Sequence, residues 1–501
     1  MTAPRFSIVI PTRERPHTLE HTLATCVAQD GDFEVVVSDN WSGPATRALV
    51  ERRADPRVRY VRTPGLLAMT DSLEFAVSHA RGEYVVLQGD DDGLLRHALP
   101  VIDAAIRATG TPLLRWECAV YNWPDVRNAH FRPDALLVPL AQTRTGHALH
   151  ALDARDMMRA AANGHASYSE LPVIYNAAVR RDLFDRLRAR TGRVFKTRTP
   201  DVYAAFALAA LAETYHSLRA PLGICGRSGA STGVARHFGK KGSPIDNDFR
   251  RLNEAAGLHL HAWVPDLPPI PSAVADAFLC AKGELFPDDA DVTLDRPLLV
   301  KNCLNEMEID TADEWREVQA SCRQALADSP DLLGWFEGEY GRADFATLPR
   351  PNRAHHWRRY GAGHLHLDAA AFGVRDIDAA ADLCERLLGY KHDGLNFRLE
   401  EADGRDAPIS ALQEKEAALQ RLHAACADLQ AQFRDVSADL HGRVEEREAR
   451  IGEQRRALDL KAQTIDELNA RLRELHVRFR NSGLTGLLRR AAKRVLRRPA
   501  A

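Results

Sequence analysis

Three aspartates in a row, Asp90-Asp91-Asp92, follow the apolar run Tyr84-Val85-Val86-Leu87 with only Gln88-Gly89 between. Carboxylates side by side repel one another, so they are tolerated in water or beside a cation. Hard divalent cations such as Mg²⁺ and Mn²⁺ prefer carboxylate oxygens. They commonly take one or two from a protein and fill the remaining positions with phosphate oxygens and water. The competing reading is a solvated acidic turn that caps a helix starting near Leu94. Asp39 stands at the end of another apolar run, at a loop start that suits an Asx-turn residue. Asp201 follows Thr199-Pro200, where Thr199 makes an N-cap, Pro200 suits the first helical position and an acid suits the first turn. The stretch 224–233, with Arg227 inside it and Arg236, His237, Lys240 and Lys241 behind it, is rich in glycine and hydroxyls. Such a loop can close over a diphosphate through backbone amides and cations, or serve as a linker.

Short apolar strands must carry these groups. Phe6-Ser7-Ile8-Val9-Ile10 is stopped by Pro11-Thr12, Phe33 to Val37 by Ser38-Asp39-Asn40, and Tyr84 to Leu87 by the acidic triplet. Val58 to Val61 is a further strand. Helical spacing fills the intervals 16–29, 46–53 and 66–80. This alternation predicts an open parallel α/β sheet with helices on both faces. Ligands sit beyond the carboxyl ends of such strands, where the three polar segments lie. Farther on, 113–116 and 119–121 continue the sheet, 125–150 reads as a less regular insertion, 171–179 as a strand, and 200–213 as a helix.

The chain has 501 residues, room for two or three domains, and a net charge of −2 that excludes an obvious whole-molecule nucleic-acid binder. Its eight cysteines are scattered with no CxxC pair, so neither a zinc cage nor a disulfide framework is indicated. Phe6 to Pro11 is too short for a signal-peptide core, and no run reaches the ~18 apolar residues of a spanning helix. A cytoplasmic chain is the expectation.

The order Ser7-Ile8-Val9-Ile10-Pro11-Thr12, then Val35-Val36-Val37-Ser38-Asp39-Asn40, then Ala80-Arg81-Gly82-Glu83-Tyr84-Val85-Val86-Leu87-Gln88-Gly89-Asp90-Asp91-Asp92-Gly93 resembles family 2 glycosyltransferases. The likeness is close to about residue 100 and looser to about residue 245. It implies a GT-A (Rossmann-like), mostly parallel α/β fold, a nucleotide-diphospho-sugar donor, a divalent metal (Mg²⁺ or Mn²⁺) and inversion at the anomeric carbon. By the same resemblance Asp92 is the direct metal ligand, and Asp90 faces the ribose or a metal-bound water. Asp91 belongs to the donor site. Asp39 faces the nucleotide base together with Pro11 and Thr12; Arg13 and Arg227 complete the donor set. Asp201 takes the place of the catalytic base, with Glu170 in reserve. The chain departs from the family at 63–72, where an Asn-rich segment is usual. Thr70 and Asp71 either stand in for it or cap a helix.

The domains read as 1–245 for the transferase, 246–405 for a mainly helical appended region, 408–480 for a coiled coil and 481–501 for a basic amphipathic tail. The appended region carries helical patterns at 274–282, 311–327 and 376–388. His259 with His261, His355 with His356, and His364 with His366 lack the i, i+4 spacing of a helical zinc site. In the coiled coil, Leu419, Leu422, Cys426, Leu429, Phe433, Val436 and Leu440 form a seam. After a stutter at Val444 it resumes through Ile451, Leu458, Ile465, Leu468, Leu472 and Leu475, with Arg447, Gln454 and Lys461 weakening its centre. The expected result is a homo-oligomer, most simply a parallel dimer. The tail interleaves leucines with Arg489, Arg490, Lys493, Arg494, Arg497 and Arg498. This pattern fits an anionic membrane surface, with nucleic acid and a solvated tail as alternatives. A saccharide or lipid-linked acceptor at the inner face of the cell membrane, in polysaccharide or lipopolysaccharide assembly, would give it a purpose. A sugar-phosphate nucleotidyltransferase shares such a sheet, but Pro11-Thr12-Arg13-Glu14-Arg15 lacks the glycine-rich loop it would need. A coiled-coil scaffold with an inactive transferase domain is the alternative of another class.

Overall fold

The computed structural model describes residues 3–128, 130–139, 147–237, 243–343, 345, 364–388, 397–401, 442, 446–475, 477–478, 486–487 and 489–490. Contacts divide the chain into two units, Met1–Cys426 and Ala427–Ala501.

The first unit is built on one sheet. Its strands are β1 (Phe6–Thr12), β2 (Phe33–Asp39), β3 (Val58–Arg62), β4 (Tyr84–Leu87), β5 (Gly93–Leu94), β6 (Leu113–Asn122), β7 (Ala135–Pro139), β8 (His147–Asp153), β9 (Ala177–Arg180), β10 (Thr214–Arg227), β11 (His364–Asp368) and β12 (Phe397–Glu401). The spatial order is β12-β8-β10-β6-β9-β4-β1-β2-β3. It is parallel through β4, β1, β2 and β3, as the alternation predicts, and mixed beyond, where β9 runs antiparallel to both β4 and β6.

Helices cover both faces, which is why these strands are apolar without interruption. Successive side chains point to opposite faces. Ile8, Ile10, Val35, Val37 and Val86 enter one core with α1 (Pro16–Val27), α2 (Pro44–Arg53) and α4 (Ala98–Thr109). Val9, Val36, Val85 and Leu87 enter the other with α3 (Met69–Ser78), α5 (Ala154–Ala162), α6 (Arg181–Thr191) and α7 (Pro200–Ala212). Helix α7 is buried on almost every side, so its apolar residues form no stripe.

Beyond α8 (Thr232–His237) come the helices α9 (Pro244–Ala255), α10 (Ile270–Leu285), α11 (Arg296–Glu306), α12 (Ala312–Leu326) and α13 (Pro330–Phe336). They do not stand apart. Phe278 of α10 meets Phe206 of α7 edge-on at 5.4 Å, a contact worth ~0.5–1.5 kcal/mol beyond its buried area, and α10 to α12 share the core of α7. The chain then returns to the sheet through β11 on β7 and β12 on β8, two strands that the helical reading of 246–405 leaves out. Helix α14 (Ile377–Leu388) packs on α1, and Arg96 and His97 reach its Asp378 and Glu385 at 2.6 and 2.5 Å.

Three local expectations are corrected. No helix starts at Leu94: Gly93–Leu94 pairs antiparallel with Gly223–Ile224, and α4 begins at Ala98 without a side-chain cap. The stretch 171–179 is not one strand. Short 3₁₀ turns at Tyr168–Glu170 and Ile174–Asn176 flank Pro172, which has no N–H to give a ladder, and pairing begins at Ala177. The insertion at 125–150 contributes β7 and the start of β8.

In the second unit residues 446–475 are helical, and Ile451, Leu458, Ile465, Leu468, Leu472 and Leu475 are exposed along it. The earlier coiled-coil seam, most of the basic tail, and Lys240, Lys241, His355 and His356 lie outside the described residues. Among the described residues no helix is long and apolar enough to cross a membrane.

Candidate active site

A cleft of about 710 Å³ opens at the carboxyl ends of β1 and β4. It is lined by Pro11, Thr12 and Arg13, by Asp90, Asp91 and Asp92, and by Asp201. Seven of the nine residues expected at the site therefore meet in one cavity, from segments up to 190 positions apart (Pro11 to Asp201).

The triplet is held by a separate device at each carboxylate. Asp90 accepts from Thr12 Oγ1 at 2.7 Å and from Arg15 Nη1 at 2.9 Å. Asp91 accepts from Ser228 Oγ at 2.7 Å, which pins the loop after β10. Asp92 accepts from the backbone N–H of Gly226 at 2.7 Å and of Gly89 at 3.1 Å. Two of these positions demand glycine. A Cβ on Gly89 would stand 2.5 Å from Asp92 Oδ2, and one on Gly226 would stand 1.7 Å from the Asp91 carbonyl oxygen. From below, Thr22 of α1 donates to the Asp92 carbonyl oxygen at 2.7 Å. These bonds replace the capping role: the acids face the cleft, and the strand that follows them is clamped against β10.

The charge is out of balance. Three buried carboxylates face one guanidinium, since only Arg15 pairs with them among the described residues. Burial, then repulsion from Asp91, pushes the Asp92 carboxyl up to about 8 despite its two N–H donors. Burial raises Asp91 as well, against the pull of Arg15. Burial alone would lower the Arg15 guanidinium, but Asp90 and Asp91 overcome it and hold its pKa above the usual value. Sequence reasoning passed over Arg15, although it sits two residues beyond Arg13 in the same loop. Arg13 itself lines the mouth of the cleft and pairs with Asp248 of α9 at 2.6 Å.

Asp201 sits in the first turn of α7, half-buried in the cleft wall. Thr199 makes no side-chain cap, so the helix start is left to the acid. Burial raises the Asp201 pKa, partly countered by its own backbone N–H and that of Val202. Tyr175 also lines the cleft. Burial first, then Asp201 and the three triplet acids, push its phenol well above the ordinary value. One phenol thus feels both acidic groups. Cys225 lines the cleft as well, and desolvation followed by Asp92 pushes its thiol up to about 12, which keeps it protonated and unsuited to attack.

Two expected donor residues lie elsewhere. Asp39 is fully buried behind the cleft wall, where it accepts from Ser42 N at 2.9 Å and Tyr60 O–H at 2.5 Å. In this arrangement it shapes the 39–42 turn that presents Asn40 to the cleft. Arg227 is also outside. Its guanidinium lies over the Phe131 ring at 4.5 Å, while its neighbour Gly226 gives the triplet only a backbone N–H. Glu170, the reserve base, is clasped by Arg115 and Arg219 at 2.8 and 3.1 Å and lies off the cleft. Thr70 donates to the Thr197 carbonyl oxygen and Asp71 accepts from Arg193, so both anchor the chain. Trp41 is half-exposed under Arg62 and takes no part in the cleft.

Residues 7–133, which carry β1 to β4 and the triplet, match the family described as glycosyl transferase family 2. The chain carries a family 2 glycosyltransferase domain. The matched segment is that of a sugar-transferring enzyme, and its α/β sheet with acids at the end of β4 is the GT-A arrangement. Among solved structures, this glycosyltransferase is similar to S. aureus TarS 1–349 in complex with UDP-GlcNAc, at 15% identity and a TM-score of 0.35 over 69% of this chain and 94% of the other. It is also similar to the mannosyltransferase PcManGT of Pyrobaculum calidifontis in complex with GDP-Man and Mn²⁺, at 19% identity and a TM-score of 0.32 over 66% and 87%. No curated protein sequence matches it.

The donor chemistry fits a hard divalent cation. Carboxylate oxygens line the cleft in excess over positive charge. Among the described residues no cage of three or more Asp, Glu, His or Cys converges on one point. An ion that takes one or two protein ligands and completes its shell with phosphate and water needs none.

Proposed function

We propose that this glycosyltransferase moves a sugar from a nucleotide-diphospho-sugar to an acceptor hydroxyl with inversion at the anomeric carbon. One observation carries the proposal: a single cleft holds both the acidic triplet with Arg15 and, separately, Asp201 at the start of α7. Asp92, with Asp90, would hold Mg²⁺ or Mn²⁺, which when bound supplies positive charge to the departing diphosphate. Arg15 adds a fixed cation, and Pro11, Thr12, Arg13 and Asp91 frame the donor. Asp39 acts from behind the wall by setting the Asn40 turn. Asp201 takes the proton from the acceptor hydroxyl as it attacks. No protein nucleophile is required, which is why a single displacement with inversion fits.

The donor half of the reading is tested by thermal stabilisation with a panel of nucleoside diphosphates, with and without Mn²⁺. At least one is expected to raise Tm only when Mn²⁺ is present. If none does, the donor assignment is wrong.

The C-terminal unit is proposed to bring copies together and to the membrane. The exposed apolar row from Ile451 to Leu475 repeats at heptad and three- or four-residue intervals, as a seam for a second copy does. The basic tail would add ~1 kcal/mol per basic residue near anionic lipid. A saccharide or lipid-linked acceptor at the inner face, in cell-surface polysaccharide assembly, completes this picture. Removal of residues 481–501 is expected to abolish co-sedimentation with phosphatidylserine vesicles and leave the oligomer intact. Unchanged sedimentation would refute the membrane role, and a monomeric full-length chain would refute the coiled coil.

A further inference from the structure

The active-site cleft does not end at Asp201. It continues between α9, α10 and the loop 257–269, far past the matched residues 7–133. Three polar side chains lining this part are only 2% exposed, Asn253 on α9 and Ser272 and Asp276 on α10, and Ser272 Oγ is satisfied by the Pro265 carbonyl oxygen at 3.0 Å. Asp276 Oδ1 accepts from the backbone N–H of His261 at 2.8 Å, while its Oδ2 has no partner among the described residues. Asn253 Nδ2 likewise has none. Both residues line the cleft. Native interiors rarely leave such atoms unpaired, and those that remain call for an explanation. Here one unpaired atom is an acceptor and the other a donor.

We propose that this part of the cleft is the subsite for an acceptor saccharide, with Asp276 accepting from one sugar hydroxyl and Asn253 donating to another. The proposal rests on the reading of Asp201 as the base. A hydroxyl both donates and accepts, so a polyol serves the two groups together, where an apolar or purely anionic ligand would satisfy at most one. Leu260, Leu267, Ile270 and Val274 supply apolar wall for the C–H faces of a pyranose. The subsite is joined to the chemistry. Thr199 Oγ1 donates to the Ala273 carbonyl oxygen at 3.4 Å, which ties the start of α7 to α10 one turn before Asp276. Burial pushes the Asp276 carboxyl up to about 6, and Arg198 draws it back toward the charged, accepting form.

The test uses the full-length protein saturated with Mn²⁺ and its stabilising nucleoside diphosphate, so that the donor half is filled. Methyl glycosides of glucose, galactose, mannose and N-acetylglucosamine are the probes, read by saturation-transfer NMR. Asp276→Asn and Asn253→Asp keep the side-chain shapes and reverse the hydrogen-bonding sense. Each is expected to weaken the best-bound glycoside at least tenfold, with stabilisation by the nucleoside diphosphate retained. Three outcomes overturn the subsite: no glycoside binds the wild type, both variants bind as the wild type does, or the nucleotide displaces the glycoside. Nucleotide stabilisation in the same samples reports on the donor reading separately.

Discussion

Asp201→Asn is expected to slow sugar transfer by roughly 10²–10⁴-fold, the range a positioned general base supplies. Nucleoside-diphosphate binding should be unchanged, because the donor half of the cleft is built by β1, β4 and the loop after β10. The substitution is isosteric. Its amide oxygen can still accept from the N–H groups at the start of α7 that now face the carboxylate. What it loses is the ability to take a proton. The surroundings favour proton abstraction by the wild-type side chain. Burial lifts the Asp201 pKa above the ordinary value, so the carboxylate is a stronger base than one in water. The sign of the pH effect follows. Only the deprotonated acid works as a base, so the wild-type rate falls as pH drops through the raised pKa. In Asp201→Asn the residual rate should lose that limb. Transfer of labelled sugar at several pH values, beside nucleotide titrations, checks both statements. A variant that keeps its transfer rate would place the proton acceptor elsewhere.

That Pro11, Thr12, Arg13 and the acidic triplet meet in one cleft was legible in the sequence because the signals are local. Each acid or hydroxyl ends an apolar run, and strand period and turn residues act over a few positions. The parallel order of β1 to β4 then brings those ends together. Where the reading failed, the deciding contact was distant. Arg227 seemed a diphosphate ligand by composition, but its guanidinium rests on the ring of Phe131, about 100 positions earlier. Asp39 is closed off by Tyr60 of β3, 21 residues away. The helix expected near Leu94 yields to pairing with β10, a strand about 130 positions later (Leu94 with Gly223). Asp276 and Asn253 carry no local signature. An acid and an amide in amphipathic helices look like surface residues until α10 is seen against α7. β11 and β12 were missed for the same reason, since their partners β7 and β8 lie in what reads as an irregular insertion.

Asp92→Asn should separate stability from catalysis. In the metal-free protein the Asp92 carboxyl is raised from 3.8 to about 8. Folding thus favours its protonated form. The stability this contributes is complete below the pKa of the unfolded chain, ~3.9, and is lost as pH rises through about 8. The wild type without metal is therefore expected to lose Tm relative to Asp92→Asn across that window, because asparagine does not titrate. The comparison is one of slope. Asparagine also turns an N–H toward Gly89 or Gly226, which shifts its Tm by a constant amount at every pH. Protons and Mn²⁺ compete for the carboxylate, so Mn²⁺ should stabilise the wild type more at pH 9 than at pH 6. In the variant that increment should largely vanish, and transfer should fall by roughly 10²-fold or more, as expected when several kcal/mol of charge stabilisation are lost. A variant with the wild-type pH slope and the wild-type response to Mn²⁺ would show that neither the buried charge nor the metal resides at Asp92. The excess of acid over Arg15 would then need another counter-charge, and Asp90, already shared between Thr12 and Arg15, is the next carboxylate to replace.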